Sequence, residues 1–364
     1  MKAAVFYGVG EPLRIEELEM PKPQMGEVLV KVAATGMCHT DAAVLTGAMP
    51  VPPPIVLGHE SAGIVEEIGP GVTTVKPGDH VVLFVMASCG KCPCCINGQP
   101  YICRPASEAI MAGTMMDGTT RLSTVGGESV HSYFSQGSFA EYAVVHELAA
   151  IKIPDDIPLD RACILGCGTS TGLGAVLNKA RVEVGSTVAV FGCGGVGQSV
   201  IIGAKLAGSS RIFAVDMLDS KLEVARELGA TDVINPSRES ALERIQECTN
   251  GGADYAFECI GNPATIALSL DCIRPGGKAI VIGMVAYGTM AEIDPTFLLF
   301  DKTLTGCIVG SLRPGVDIPK YAELYREGRL PLDKLVTRTY KLEEINEAFS
   351  AMKRGEVIRG VICP

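Results

Sequence analysis

Apolar residues in the first 150 positions come in short runs cut by Gly and Pro. AAVFYG (3–8), EVLVKVAATG (27–36), SAGIVEEIG (61–69), DHVVLFV (79–85) and FAEYAVV (139–145) have strand length and strand composition. Turn signals such as Pro77-Gly78-Asp79 separate them. The pattern predicts a mostly-β region with long loops. MPVPPPIVLGHE (49–60) reads as a stiff Pro-rich turn, because apolar residues follow the prolines at once.

From about residue 169 the pattern changes. TVAVFG (187–192) is an apolar strand, GVGQSVIIGAKLAG (195–208) has helical spacing, and RIFAVD (211–216) is a strand again. DSKLEVARELGA (219–230) is a helix with Asp219 and Ser220 at its start. DVINP, ALERIQECTN, ADYAFECIG, ATIALSLDCI and KAIVIGM continue the alternation. Strands alternating with helices over this length predict a parallel sheet covered on both faces. The tail from about 310 to 364 mixes two helical stretches, PKYAELYREG and LEEINEAFSAMKRG, with short strands. The fold class is therefore α/β, a doubly wound parallel-sheet domain joined to a mostly-β domain. No repeat or low-complexity segment interrupts it.

Length and composition narrow the function. A chain of 364 residues suits about two domains. The net charge is −10 and the pI near 5.1, with no cluster of Lys and Arg, which argues against nucleic acid as a partner. No uncharged apolar run approaches the ~18 residues of a membrane helix. The first twenty residues lack the long apolar core of a secretory signal. A cytoplasmic protein with no membrane partner is expected.

Fourteen cysteines in such a chain do not suggest disulfides, since the cytosol keeps thiols reduced. Cys89, Cys92, Cys95 and Cys103 fall in C-x2-C-x2-C order with a fourth thiol eight residues on, and Gly90, Pro93, Asn97 and Gly98 supply the turns. Four thiolates closing a tetrahedron make a structural zinc site with no open position. A redox-active CxxC pair and an iron–sulfur site are the alternatives. Cys94 is expected to point away from the metal.

VFGCGGVG places Gly192, Gly194 and Gly197 in G-x-G-x-x-G order between a strand and a helix. In that setting the loop Gly192, Gly194, Gly195, Val196, Gly197 cradles a dinucleotide pyrophosphate at the helix N-terminus. Asp216 ends the next strand, where a carboxylate accepts hydrogen bonds from the adenosine ribose and repels a 2′-phosphate, so NAD is expected over NADP. Lys221 would add a ribose contact. The plainer reading of Asp216 is a cap for the following helix.

Cys38, His59 and Cys167 lie in TGMCHTD, GHESAG and ILGCGTS, each beside or near Gly at a strand-to-loop transition. Two thiolates and an imidazole with a fourth place free would make a catalytic zinc site, with Glu60 near the metal in a supporting or transient role. Two cysteines and one histidine are the ligand set of alcohol dehydrogenases, which this trio resembles. By spacing alone these residues read equally well as core cysteines and a core histidine.

Taken together, GHE (58–60), Cys38, Cys167, the four-cysteine lobe, the Gly192–Gly197 loop and Asp216 make the chain resemble a zinc-dependent medium-chain alcohol dehydrogenase over essentially its whole length. The resemblance implies a GroES-like catalytic domain over 1–168, a Rossmann NAD-binding domain over 169–309, and a return of 310–364 to the catalytic domain. It implies NAD and two zinc ions per subunit, and reversible hydride transfer between a primary alcohol and the nicotinamide. Thr40 would hydrogen-bond the substrate oxygen and pass its proton outward; its plainer reading is a turn residue. His39 and Arg359 match positions that touch the coenzyme phosphates; otherwise they are surface charges.

The chain departs from the best-known animal members at Ala43, where they end the proton relay in a histidine. Val85 stands where liver-type members carry a bulky aromatic, which leaves room for aromatic or longer alcohols. Ser107 stands where glutathione-dependent formaldehyde dehydrogenases carry an arginine, which argues against a glutathione adduct without removing that alternative. A nicotinoprotein with permanently bound NAD and a non-catalytic zinc-binding structural protein also stay open. The long 103–167 segment resembles that of dimeric members, and LTGCIVGS (304–311) is the expected edge strand for a homodimer, with a tetramer as the alternative.

Overall fold

Strand Glu27–Gly36 is the hub of the first of two units into which the contacts divide the chain; this unit comprises Met1–Gly168 with Leu312–Pro364, and the second Thr169–Ser311. The computed structural model describes residues 1–286 and 288–364. Glu27–Gly36 pairs antiparallel with Glu60–Ile68, with Tyr142–His146 and, at its end, with Arg359–Cys363. Val336–Lys341 adds a parallel strand beside Arg359–Cys363, so the C-terminal tail builds part of this seven-stranded sheet. Val28, Val30 and Val32 pack with Val65, Val81 and Leu83, while Lys31 and Ala33 between them face solvent, as a period of two requires. A five-stranded sheet that includes Lys2–Phe6 and Ile55–Val56 lies in the same unit. Phe6, Met37, Leu57, Phe139, Phe349 and Ile362 meet in one apolar cluster of that unit.

The N-terminal region is less purely β than its run pattern predicts. A helix spans His39–Leu45 and another Arg104–Ala112. Each follows a cysteine, Cys38 and Cys103, in an extended N-cap conformation. Cysteine is not among the residues that signal a helix start, so the spacing alone gave no warning. The carboxylate of Asp41 accepts the Cys38 N–H at 3.3 Å and closes the first turn.

The second unit is a six-stranded, all-parallel sheet in the order Asp232–Ile234, Arg211–Val215, Thr187–Phe191, Ala253–Glu258, Ile273–Val281, Thr303–Gly306. That order, with helices in the crossovers, is the doubly wound dinucleotide-binding arrangement. Phe191, Phe213, Ile245, Leu270 and Ala279 fill one of its buried clusters. The expected strand over 304–311 is shorter than its apolar run. It ends at Gly306, because Val309, Gly310 and Ser311 take φ of 38°, 68° and 50° and turn the chain out of the sheet. Among the described residues, no helix is long and apolar enough to cross a membrane.

Candidate active site and cofactor loop

Antiparallel register brings the first two candidate ligands together. Gly36 pairs with Glu60, so the end of one strand, leading to Cys38, lies beside the start of the next, where His59 sits. The third arrives because Gly166 packs against the same strands: a Cβ there would stand 2.5 Å from the Leu83 carbonyl and 3.3 Å from Glu60 Cα. Val85, fully buried, donates its N–H to the Gly166 carbonyl at 3.0 Å and holds this approach. One donor atom from each of Cys38, His59, Glu60 and Cys167 lies within 4.8 Å of the others.

His59 is oriented by a residue the sequence reading passed over. Asp41, fully buried, lies 3.1 Å from His59 Nδ1, and its carboxylate also accepts the Gly58 N–H at 3.1 Å. A proton held on Nδ1 leaves the Nε2 lone pair for a metal, and Nε2 is buried with no hydrogen-bond partner among the described residues. Phe134 stacks on the imidazole at 4.8 Å and Tyr133 meets it edge-on at 5.7 Å. The donor set therefore fits zinc: two thiols, an aimed imidazole nitrogen and a carboxylate.

The charges of this cluster are strongly coupled. Contact with Cys167 draws the Cys38 thiol well below its ordinary range, outweighing the cost of burial, and the same contact pushes Cys167 up. The pair shares a proton that a cation would displace. Burial pushes Glu60 up to about 7, against the lowering pull of Arg359. Glu60 Oε1 accepts the Gly168 N–H at 2.9 Å and an Arg359 N–H at 3.1 Å, while Oε2 has no partner among the described residues. Arg359, expected near a phosphate, is buried, donates also to the Met37 carbonyl at 3.0 Å, and keeps an unpartnered Nε. The Thr40 hydroxyl lies 3.4 Å from Cys38 Sγ, and His39 is exposed.

Cys89, Cys92, Cys95 and Cys103 form the second group within 4.8 Å. The sulfur of Cys92 is 3.5 Å from that of Cys95 and 3.9 Å from that of Cys103. Four sulfurs around zinc at ~2.3 Å stand about 3.8 Å apart, so the geometry fits a closed tetrahedron. Backbone N–H groups of Cys89 and Cys92 point at the sulfurs of Cys103 and Cys89, each at 3.3 Å. A backbone contact from Cys95 helps draw Cys92 down to about 6. Cys94 lies outside the group, and every one of the fourteen cysteines is free of disulfides.

In the second unit, Gly192 takes φ +90°, and a Cβ on Gly197 would stand 1.8 Å from the Gly192 carbonyl, so neither tolerates a side chain. A Cβ on Gly194 would meet nothing within 4 Å. That open space lies at the N-cap of helix Gly195–Leu206, where Gly195, Val196 and Gly197 form the first turn, and it suits a pyrophosphate. Asp216, half-buried, accepts the Cys193 N–H at 2.8 Å and the Leu218 N–H at 3.0 Å. Its carboxylate thus ties the loop to the next turn, and helix Asp219–Leu228 starts from Leu218 without a side-chain cap. Lys221 is half-buried on that helix, with its carbonyl bonded to Gln198 at 2.9 Å.

Residues 24–155 match the alcohol dehydrogenase GroES-like domain, and residues 195–327 the zinc-binding dehydrogenase domain. S-(hydroxymethyl)glutathione dehydrogenase of Paracoccus denitrificans is 39% identical over 99% of both chains. The chain belongs to the zinc-dependent medium-chain alcohol dehydrogenase family. The benzyl alcohol dehydrogenase of Acinetobacter calcoaceticus superposes with a TM-score of 0.95 at 40% identity, covering 100% of this chain and 98% of that one. An alcohol dehydrogenase zinc-binding domain protein of Burkholderia ambifaria superposes at 0.96 with 42% identity and the same coverage. As a member of this alcohol dehydrogenase family, the chain is an NAD-dependent zinc enzyme.

Proposed function

We propose that the chain oxidises primary alcohols to aldehydes with NAD, reversibly, and that it favours aromatic alcohols. The observation that carries this choice is the aromatic corner at His59. Tyr133 and Phe134 meet edge-to-face at 4.6 Å, and Phe134 is held at φ 52°, a conformation that costs a bulky residue about 1–2 kcal/mol. A flat aromatic ring stacks or packs edge-on against such a pair. Val85, expected to leave room for a larger alcohol, is itself fully buried, with its N–H on the Gly166 carbonyl.

Zinc held by Cys38, His59 and Cys167 supplies Lewis acidity that lowers the pKa of an alcohol hydroxyl. NAD held by the Gly192–Gly197 loop and Asp216 supplies the hydride acceptor. The chain's own residues do the rest. Asp41 keeps a proton on His59 Nδ1. Thr40, beside Cys38, takes the hydrogen bond of the substrate hydroxyl and relays its proton; with Ala43 in place of a further histidine, the exit runs by water or the exposed His39. Glu60 and Arg359 hold the Cys167–Gly168 turn in place.

The Paracoccus relative supports a second reading, oxidation of the glutathione adduct of formaldehyde. Against it, Ser107 offers no cation, since its hydroxyl bonds the Cys103 carbonyl of its own helix at 3.0 Å, and the nearby Arg104 is engaged by Glu108 at 2.7 Å. NADH formation from ethanol, benzyl alcohol, a long-chain alcohol, and formaldehyde with glutathione separates the two. The highest kcat/KM is expected with benzyl alcohol, falling about tenfold in Phe134→Ala, in line with the loss of an aromatic pair. Activity confined to formaldehyde with glutathione would overturn it.

Among the described residues, Thr303–Gly306 pairs on one side only, and Leu299, Phe300 and Ile308 beside it are exposed. These support a homodimer joined through this edge, to be checked by light scattering. Free cysteines throughout suit a reducing, cytoplasmic compartment.

A further inference from the structure

Glu258 ends the strand Ala253–Glu258 beside Phe191, at the point where the strand order of the second unit reverses. Doubly wound sheets bind dinucleotides in the crevice outside that reversal. The Glu258 side chain is fully buried, and among the described residues no Lys or Arg pairs with it. A buried charge without a counter-ion is costly unless hydrogen bonds satisfy it. Here Oε1 accepts from the Ile260 N–H at 3.0 Å, the Gly261 N–H at 2.9 Å and the Thr265 hydroxyl at 2.8 Å, and Oε2 from the Gly261 N–H at 3.1 Å. Every one of these bonds goes to the turn that follows or to the helix it leads into.

The turn is also pinned from the other side. Gly261 sits at φ +81°, and a Cβ on it would stand 2.2 Å from the Met284 carbonyl. So fixed, the turn presents Ile260, which is half exposed despite being a large apolar side chain. Ile260 Cγ1 lies only 2.6 Å from where a Cβ on Gly192 would stand, so it packs directly on the first glycine of the phosphate loop.

We propose that Glu258 is a positioning residue for the cofactor: it fixes the Cys259–Asn262 turn so that Ile260 walls the dinucleotide crevice beside Gly192. Glu258 touches no cofactor; it acts through Ile260. The inference rests on the family's use of NAD and not on the choice of alcohol, so no alcohol enters the test.

The test is NADH binding to the zinc-loaded protein, followed by the fluorescence of the bound nucleotide. Glu258→Ala and Ile260→Ala each raise the NADH Kd about tenfold, the scale of one or two lost contacts. The double variant rises no further than the larger single, because both changes remove the same wall. Amide hydrogen exchange at Ile260 and Gly261 speeds up in Glu258→Ala and not in Ile260→Ala. Should Glu258→Ala fail to fold, Glu258→Gln, which keeps one acceptor oxygen, carries the same comparison with a rise of about threefold. A Kd within experimental error of wild type in the Glu258 variant, or strictly additive effects in the double variant, would overturn the proposal.

Discussion

Asp41 and His59 form a fully buried pair, 3.1 Å apart through His59 Nδ1, eighteen positions apart in the chain. The carboxylate fixes which imidazole nitrogen carries the proton and so which one faces Cys38 and Cys167. Asp41→Asn keeps the shape and removes the charge. It is expected to weaken zinc at this site 10- to 100-fold, the usual effect of losing such a partner, while the four-cysteine lobe keeps its metal. Competition with a chelator, followed by zinc counting, measures this.

Glu60 and Arg359 meet at 3.1 Å across 299 positions, with almost no exposure on either side. Removing one partner of a buried pair leaves the other uncompensated. Arg359→Met is expected to cost about 3–5 kcal/mol of stability, and Glu60→Gln added to it to recover part of the loss. Denaturant unfolding of the single and double variants gives the comparison.

Thr40→Val preserves side-chain shape and removes the hydroxyl beside Cys38. Alcohol oxidation is expected to slow at least about tenfold, the lower range for lost proton-transfer help. NADH affinity should persist, since Thr40 lies outside the Gly192–Gly197 loop. A near-normal rate would remove Thr40 from the proton route.

Asp216 holds the Cys193 and Leu218 N–H groups and presents the carboxylate expected to read the ribose. Asp216→Asn retains an acceptor for the loop but not the charge that repels a 2′-phosphate. The ratio of kcat/KM for NAD over NADP is expected to fall at least about tenfold. An unchanged ratio would reduce Asp216 to a structural tie.

Much of this was legible in the residues. The alternation after residue 169 showed the parallel sheet because each strand there is a short apolar run and each crossover a helix of ordinary period. The lobe was readable because its four cysteines are close in sequence. Cys38, His59 and Cys167 are far apart, and only their joint match to a family set them aside from core residues. Asp41 gave no signal, since an acidic residue in the first turn of a helix is commonplace. The Glu60–Arg359 pair depends on the tail strand Arg359–Cys363 reaching Glu27–Gly36, a contact no local pattern encodes. The strand Thr303–Gly306 is shorter than the apolar run 304–311 suggests, because apolar character continues to Val309 while the backbone already turns.

Zinc per chain, counted in wild type and in Cys167→Ser, bears most directly on the open site. Two ions in the wild type and one in the variant are expected, with the remaining ion in the four-cysteine lobe. A single ion in the wild type, or two retained in the variant, would contradict a metal held by Cys38, His59 and Cys167.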